Sequence, residues 1–322
     1  MTPRHHHLAL WLCVTLHFSQ ATQISEDGQT SPNVSVRNTA EDAGLGMFPW
    51  VVTYKTTFGS MNVNVGDHCS GTIIDASWVL TAAHCLDVRH KPSGYTVHAG
   101  VVDSSEEGKD PGPRYRQVRV VSAVYRHPEY NDKARSVGFA TRNSQYFLYN
   151  IALLYFDKPF DVLGAYVTSI DVAEMPSDVD IETSSNLALQ CFIVGWGSWV
   201  ASKDDDDNSI VDENKLKVNH IHKYLVVKAY PHRECTPKTN TTNLLMVCVL
   251  GQATGNNVSA PCSGDSGGPL VCRKDDDTTW EMMGLSSWND EGIMCNSASS
   301  SLVYYENDAL DHAAPEAGRS EA

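Results

Sequence analysis

Short runs of β-branched and aromatic residues, separated by turn residues, recur along most of the chain. These runs are WVVTY (50–54), GTIID (71–75), SWVLTAA (77–83), YTVHAG (95–100), QVRVVSAVY (117–125), IALLYF (151–156), CFIVGWG (191–197) and MMGLSSW (282–288). Many short strands at this spacing are typical of an all-β sandwich or a pair of barrels, and not of alternating strands and helices. The hydrophobic pattern therefore predicts an all-β fold.

The first residues have the pattern of a signal peptide. Arg4 precedes an apolar run from Leu8 to Phe18, and small residues follow at Ser19 and Ala21. We expect cleavage after Ala21, which would also remove the histidine run at 5–7. Because no other stretch reaches the 18 or more uninterrupted apolar residues of a spanning helix, we expect a secreted, extracellular protein that is not held in a membrane.

Three further regions follow the signal peptide of residues 1–21. Residues 22–42 are polar, carry a glycosylation sequon at Asn33, and are predicted to be a pro-segment or a flexible N-terminal arm. The packed domain is predicted over 43–313, with a disordered tail at 314–322. Sequons at Asn240 and Asn257 predict glycosylated surface loops.

The charge of the chain limits its partners. The formal net charge is −15 and the pI is about 5.2, so a nucleic acid or an anionic membrane surface would repel the protein. Two acidic runs, KDDDD (203–207) and KDDD (274–277), interrupt the strand pattern. Solvated loop tips explain them best, with calcium loops and charged recognition patches as alternatives.

The cysteines predict a disulfide framework. Of nine cysteines, Cys13 lies in the leader, which leaves an even set of eight. Export to an oxidising compartment makes four disulfides the natural interpretation. Zinc is the alternative, but the sequence has neither a CxxC pair nor an HExxH motif, so we predict no metal site and no cofactor.

Two motifs carry the chemistry of a nucleophilic serine. A serine hydroxyl needs an imidazole to take its proton, and the oxyanion that forms needs unobstructed backbone N–H donors. In GDSGGP (264–269), glycines flank Ser266 and permit a tight turn, while TAAHC (81–85) supplies His84 beside a cysteine. Either motif alone is more often structural, but in this order and at this separation the pair is specific.

With these motifs the sequence resembles the trypsin and chymotrypsin family of serine endopeptidases, from about Phe48 to about Leu310. The family's order is kept by FPWVV, CSGTII, SWVLTAAHC, HPEY, IALL, VGWG, CSGDSGGPLVC and SSW. The resemblance implies two packed antiparallel six-stranded β-barrels with the site in the cleft between them, and a short C-terminal helix. It also implies the disulfides Cys69–Cys85, Cys191–Cys272, Cys235–Cys248 and Cys262–Cys295.

The resemblance also implies roles in catalysis. His84 matches the general base and Ser266 the nucleophile, and the N–H groups of Gly264 and Ser266 match the oxyanion hole. The third member of the triad should be an aspartate before IALL, and here it is Asn150. In a triad, an amide at this place favours the wrong imidazole tautomer and lowers turnover by about 10⁴, roughly 5 kcal/mol of barrier.

Two aspartates near Asn150 in sequence are candidates to replace the missing carboxylate. Asp157 lies beyond the IALL strand, and Asp132 lies in a long insertion before it. We expect neither to replace the missing aspartate.

A second departure lies at the activation site. The family releases an N-terminus, usually IVGG, whose ammonium pairs with the aspartate before the nucleophile, and that aspartate is present as Asp265. The four matching positions read Arg37, Asn38, Thr39 and Ala40. Cleavage after Arg37 would leave an N-terminus one residue short and polar, and the oxyanion hole is then expected to keep its zymogen arrangement.

The third departure lies in the substrate pocket. Ala260, six residues before the nucleophile, lacks the charge that would select Lys or Arg. Ser287 and Trp288 match the pocket wall, and Asn289 and Leu302 stand where the family usually has glycine. The side chains of Asn289 and Leu302, which are larger than glycine, are predicted to make the pocket small or shallow.

Two functions remain. One is a non-catalytic protease homologue that binds a protein partner, and the other is an endopeptidase of low turnover that cleaves after small or apolar residues. The three departures from the family favour the non-catalytic homologue, whereas the retained His84 and Ser266 favour the peptidase. Since the fold is common to both, the fold does not decide between them.

Overall fold

The computed structural model describes fifteen stretches of the chain: residues 40–56, 69–105, 115–130, 149–173, 191–197, 199–200, 216–217, 220–230, 246–251, 253–254, 257–258, 261, 264–273, 280–289 and 301–304. All of them lie in one compact unit, Val36–Ala322. The predicted signal peptide, the sequon at Asn33 and the predicted C-terminal helix lie outside the described residues.

The described residues form strands and two short 3₁₀ turns, with no α-helix among them. The all-β prediction is therefore confirmed for this part of the chain. The strands are β1 Glu41–Asp42, β2 Val51–Thr56, β3 Cys69–Asp75, β4 Trp78–Thr81, β5 Tyr95–Ala99, β6 Gln117–Val120, β7 Ala123–Arg126, β8 Ala152–Tyr155, β9 Cys191–Gly195, β10 Trp199–Val200, β11 Leu216–Lys217, β12 Lys223–Tyr230, β13 Met246–Gly251, β14 Ala253–Thr254, β15 Asn257–Val258, β16 Pro269–Arg273, β17 Trp280–Asn289 and β18 Ser301–Tyr304.

The first sheet is antiparallel, with the strand order β6-β5-β2-β3-β4-β8-β7. Its two end strands, β6 and β7, follow each other in the chain with only Val121 and Ser122 between them. The segment therefore acts as one bent strand that joins both edges, and the sheet curls into a barrel of six strands.

The second sheet has the order β1-β12-β13-β18-β17-β16-β9, and β12 also pairs with β9. This additional pairing closes a ring of six antiparallel strands, to which the short β1 adds at β12. Closing the ring leaves no open sheet edge among its six strands. The hairpin partners β10–β11 and β14–β15 form two small separate sheets.

Buried side chains form a core inside each sheet and a third layer between the two sheets. Val52, Ile73, Val97, Leu154 and others fill the first barrel. The second barrel has a smaller core that includes Ile193, Val227 and Leu270. The layer between them takes side chains from both sheets: Trp50, Leu80, Leu153, Phe192, Val194, Trp196, Val271, Met282 and Leu285. Apolar packing thus fixes the barrels against each other, and with them the two halves of the site.

Two of the four implied disulfides lie within the described residues and are formed. Cys69–Cys85 joins β3 to the 3₁₀ turn Ala83–Cys85, and Cys191–Cys272 joins β9 to β16. Of the other two pairs only Cys248 is described, as part of β13. In the parts of the chain that the structure describes, no helix has the length and apolarity to cross a bilayer.

Candidate active site

His84 lies in a single 3₁₀ turn, Ala83–Cys85, which begins two residues after β4 ends. Ala82 and Ala83 are fully buried, and Cys85 is bonded to Cys69. The turn is therefore fixed on both sides by packing and by a covalent bond. Sγ of Cys85 lies 3.8 Å from the carbonyl of Ser266, so the turn lies beside the segment that carries this serine.

Asn150 lies two residues before the start of β8 and is fully buried. Its neighbour Tyr149 has φ = 59°, a left-handed conformation that is uncommon for a bulky residue. The Tyr149 ring stacks on the buried His127 ring at a centroid distance of 4.6 Å. The N–H of Ile151 donates to the Tyr149 carbonyl at 2.8 Å and closes a tight turn around Asn150.

The Asn150 amide makes three hydrogen bonds, and the first of them determines how the amide is oriented. The backbone N–H of His84 donates to Oδ1 at 2.8 Å. Nδ2 then faces the other two partners, the ring Nδ1 of His84 and the hydroxyl of Ser287, each at 2.7 Å. Since a backbone N–H can only donate, Oδ1 is the one amide atom able to accept it, and the amide cannot be flipped without losing that bond.

This orientation determines the tautomer of the imidazole. Nδ2 only donates, so Nδ1 of His84 must accept, and the proton of the neutral ring is on Nε2. Nε2 lies 3.7 Å from Sγ of Cys85, a weak acceptor. In this tautomer Nε2 has no lone pair with which to take a proton from a serine hydroxyl.

Ser266 lies in a tight turn between Gly264 and β16. Gly264 and Gly267 have φ values of +104° and +78°, which only glycine adopts readily. A Cβ on Gly267 would lie 2.2 Å from Oγ1 of Thr81 and 2.4 Å from the carbonyl of Ser70, so the turn approaches the first barrel closely. Glycine at these places is thus a steric requirement of the turn.

Ser70 of β3 holds the turn from the first barrel. Its N–H donates to the carbonyl of Ser266 at 2.9 Å, and its hydroxyl donates to the carbonyl of Gly264 at 3.1 Å. From the second barrel, the N–H of Gly267 donates to the carbonyl of Ser286 at 2.7 Å. Both barrels thus support the loop that presents Ser266.

Sequence comparison decides the family. A sequence model of the trypsin family matches residues 38–309, which is most of the chain. The chain belongs to the trypsin family.

Two proteins that are similar to this chain have names that agree with the family. Serine protease 28 of Mus musculus is 28% identical over 255 residues, which cover 78% of both proteins. Coagulation factor XI of Bos taurus is 27% identical over 245 residues, which cover 76% of this chain and 32% of factor XI. The chain thus spans about a third of the length of factor XI.

The structure brings residues of both barrels into contact at this site. His84 and Asn150 come from the first barrel, and Ser266 and Ser287 come from the second. We predicted Ser287 as part of the pocket wall from its place in SSW. The structure shows that its buried hydroxyl also contacts the amide of Asn150, a partnership that the sequence motif did not indicate.

Other predicted positions are described only in part or lie outside the described residues. Trp288 and Asn289 belong to β17, Leu302 to β18 and Asn257 to β15, and the structure describes their backbone only. Ala260, Asn240, Cys235, Cys262 and Cys295 lie outside the described residues. The size of the substrate pocket therefore stays a prediction.

Potential metal ligands also meet at this site. The ring of His84 and the sulfurs of Cys69 and Cys85 lie within 4.8 Å of one another. The two sulfurs are bonded to each other, so neither is available as a thiolate ligand. The group therefore forms part of the support of His84, and its chemistry does not favour a metal centre.

Asp265 precedes Ser266 in the chain. Its carboxylate lies against Gly195, the last residue of β9, and against Gly197, the last residue of the motif VGWG. The N–H of Gly197 donates to Oδ1 of Asp265 at 2.8 Å. A Cβ on Gly197 would lie 2.1 Å from Oδ2, and a Cβ on Gly195 would lie 2.5 Å from Oδ1. The two glycines therefore make room for this carboxylate, which explains why small residues occur at both places.

Proposed function

We propose that this chain is a secreted member of the trypsin family whose hydrolytic chemistry is weak or absent, and that it acts by binding a protein partner. The observation that carries the proposal is the hydrogen bond from Nδ2 of Asn150 to Nδ1 of His84 at 2.7 Å. It holds the general base in the tautomer that does not accept the serine proton, and a neutral amide does not stabilise the imidazolium that catalysis would form.

Several features of the site make this tautomer persistent. Asn150 is fully buried, so water does not compete for its amide. Reversing the amide would place Nδ2 against the backbone N–H of His84 and break a hydrogen bond in a buried position, where an unpaired donor costs about 1–3 kcal/mol.

A fluorophosphonate probe tests the chemical part of the proposal, because its reaction needs the serine, the base and the oxyanion hole but no particular substrate. We expect the purified chain to react at a rate about 10³-fold or more below that of a working member of the family. Ser266→Ala is the control for labelling elsewhere. Labelling at the rate of a working member would refute the proposal.

The partner-binding part of the proposal makes a separate prediction. Removing one hydroxyl takes away a nucleophile but little contact area, whereas a standard interface uses about 800 Å² of each partner. Ser266→Ala should therefore keep the biological activity of the secreted protein. A variant with residues 203–207 neutralised, or with the insertion at 131–149 shortened, should lose it. The opposite result would identify the protein as a peptidase.

A second function is favoured by one observation. The turn that presents Ser266 keeps both positive-φ glycines and its supports from both barrels. A chain with this turn and with His84 fits an endopeptidase of low turnover that cleaves after small or apolar residues. A Ser266-dependent release of peptides from an unfolded protein substrate would distinguish it from the binding homologue.

A further inference from the structure

The imidazole of this site presents a hydrogen-bond donor where a working triad presents an acceptor. Nδ1 of His84 accepts from Nδ2 of Asn150 at 2.7 Å, so the neutral ring carries its proton on Nε2. Sγ of Cys85, which lies 3.7 Å from Nε2, is a weak acceptor. The His84 side chain is only partly buried. A ligand that reaches Nε2 from solvent therefore meets an N–H group and not a lone pair.

Two backbone donors lie in the turn that presents Ser266. In this turn the N–H groups of Gly267 and Gly268 are used within the protein, by the carbonyls of Ser286 and Asp265. Among the residues that the structure describes, the N–H groups of Gly264 and Ser266 have no such backbone acceptor. These two N–H groups can therefore bind an oxygen atom that comes from outside the chain.

The imidazole and the turn lie close together. Sγ of Cys85 lies 3.7 Å from Nε2 of His84 and 3.8 Å from the carbonyl of Ser266. Because one sulfur is near both, a small group with two acceptor atoms can reach both sets of donors. A carboxylate has two oxygens on one carbon. One oxygen can accept from the backbone pair and the other from the Nε2–H group.

The charge of the site favours a carboxylate over a phosphate. In this tautomer His84 is neutral, and so are its neighbours Asn150 and Ser287. The carboxylate of Asp265 accepts the N–H of Gly197. A phosphate is usually bound by arginine or lysine, whereas backbone and imidazole N–H groups bind a singly charged carboxylate through charge-assisted hydrogen bonds.

We propose that this site binds the C-terminal carboxylate of a peptide chain, with the Nε2–H of His84 and the N–H groups of Gly264 and Ser266 as donors. A peptide that ends in the cleft places its carboxylate where a substrate places the carbonyl that the serine attacks. In a working enzyme the lone pair of Nε2 faces the second oxygen and repels it. The inference names the chemistry of the partner and rests on the proposed function, because the same tautomer carries both.

The test compares two peptides that differ only at their C-terminus. The probes are fluorescein-labelled Ala-Ala-Pro-Ala with a free carboxylate and the same peptide with a terminal amide. Fluorescence polarisation at pH 7 measures their affinities for the full chain. The acid should bind about tenfold more tightly or better, because its hydrogen bonds are charge-assisted. A third peptide has an internal aspartate and an amidated end. Binding of this peptide as tight as that of the acid would overturn the assignment to a C-terminus.

Two variants remove the Nε2–H donor in different ways. His84→Phe keeps a ring without a donor, and Asn150→Asp reverses the tautomer. Each should reduce the preference for the acid about tenfold and leave the affinity for the amide unchanged. Asn150→Asp keeps the test available should His84→Phe not fold. His220→Ala removes an exposed histidine that precedes β12, and as the control it should change neither affinity.

The Nε2–H group of His84 also gives a direct signal. In ¹H–¹⁵N spectra the acid should shift this signal downfield, and the amide should not. No binding of the acid, equal affinities for the two peptides, or an acid preference that survives in both variants would each overturn the inference, as would an unshifted signal.

These outcomes differ from those that test the proposed function. A chain that reacts slowly with the fluorophosphonate and binds both peptides equally would refute this inference alone. A chain that reacts at the rate of a working member would refute the proposed function, whatever the peptides show.

Discussion

Nδ2 of Asn150 lies 2.7 Å from Nδ1 of His84 and donates to it. An aspartate in this place would accept a hydrogen bond from the Nδ1–H group and leave Nε2 unprotonated and able to act as a base. The asparagine reverses the direction of this one hydrogen bond while keeping the packing around it. The asparagine therefore alters the chemistry of the site and not its packing. We expect Asn150→Asp to leave the fold unchanged.

Asn150→Asp should raise the rate of fluorophosphonate labelling by at least tenfold. A carboxylate accepts from all three neighbours of this position, the backbone N–H and ring N–H of His84 and the hydroxyl of Ser287, and so favours the reactive tautomer. We expect a gain below the full factor of about 10⁴, because the chain also lacks a family-type N-terminus. The labelling rate and the melting temperature are measured together. A folded variant with no gain would contradict the role assigned to the amide.

The buried His222 should make the protein less stable in mild acid. Its ring stacks on Trp196 at a centroid distance of 4.2 Å, and burial lowers its pKa to about 3 from the usual 6.5. On acidification the unfolded chain therefore binds a proton that the folded chain does not. Stability should fall as the pH drops from 6.5 toward 3, by about 1.4 kcal/mol per pH unit.

His222→Leu should remove the part of the pH dependence that His222 causes. Nε2 of His222 is buried and has no hydrogen-bond partner among the described residues, so leucine loses no hydrogen bond of that atom. A comparable slope should remain between pH 7 and pH 5, because burial, then Arg116 and Lys55, lower the pKa of His98 to about 4. Urea unfolding at pH 7 and at pH 5 measures both slopes. An equal loss of stability in the variant and the parent would show that another group titrates.

The two described disulfides should differ in their effect on stability. Cys69–Cys85 spans 16 residues and Cys191–Cys272 spans 81. Loop-closure entropy predicts losses of about 3 and about 4.5 kcal/mol on replacing each pair by alanines. Denaturant unfolding of the two double variants measures the difference, and a larger loss for the shorter loop would contradict it.

The two implied disulfides beyond the described residues can be mapped directly. Digestion without reduction, followed by mass spectrometry, should yield Cys262 linked to Cys295 and Cys235 linked to Cys248. A link between Cys262 and Cys272 would be incompatible with the Cys191–Cys272 bond of the structure.

The sequence was sufficient for the all-β fold and for the family. The runs of β-branched and aromatic residues predicted strands, and the motifs around His84 and Ser266 carried the resemblance that implied two barrels. These inferences succeed because strand patterns and glycine-rich turns are local properties of the chain.

The finer features depend on contacts between distant segments. The orientation of the Asn150 amide is fixed by the backbone N–H of His84, 66 residues away, and Nδ2 then donates to Ser287, 137 residues away. The ion pair of Lys223 with Asp42 follows from the register of β1 against β12, which the hydrophobic pattern alone does not determine. No local pattern encodes either relationship.

The tautomer of His84 tests the central claim most directly. Long-range ¹H–¹⁵N spectra of the ¹⁵N-labelled protein at neutral pH distinguish a protonated ring nitrogen from an unprotonated one, and His84→Gln identifies the signals of this residue among the thirteen histidines. The account predicts a proton on Nε2 and none on Nδ1, with the reverse in Asn150→Asp. A proton on Nδ1 of His84 in the unaltered chain would contradict it.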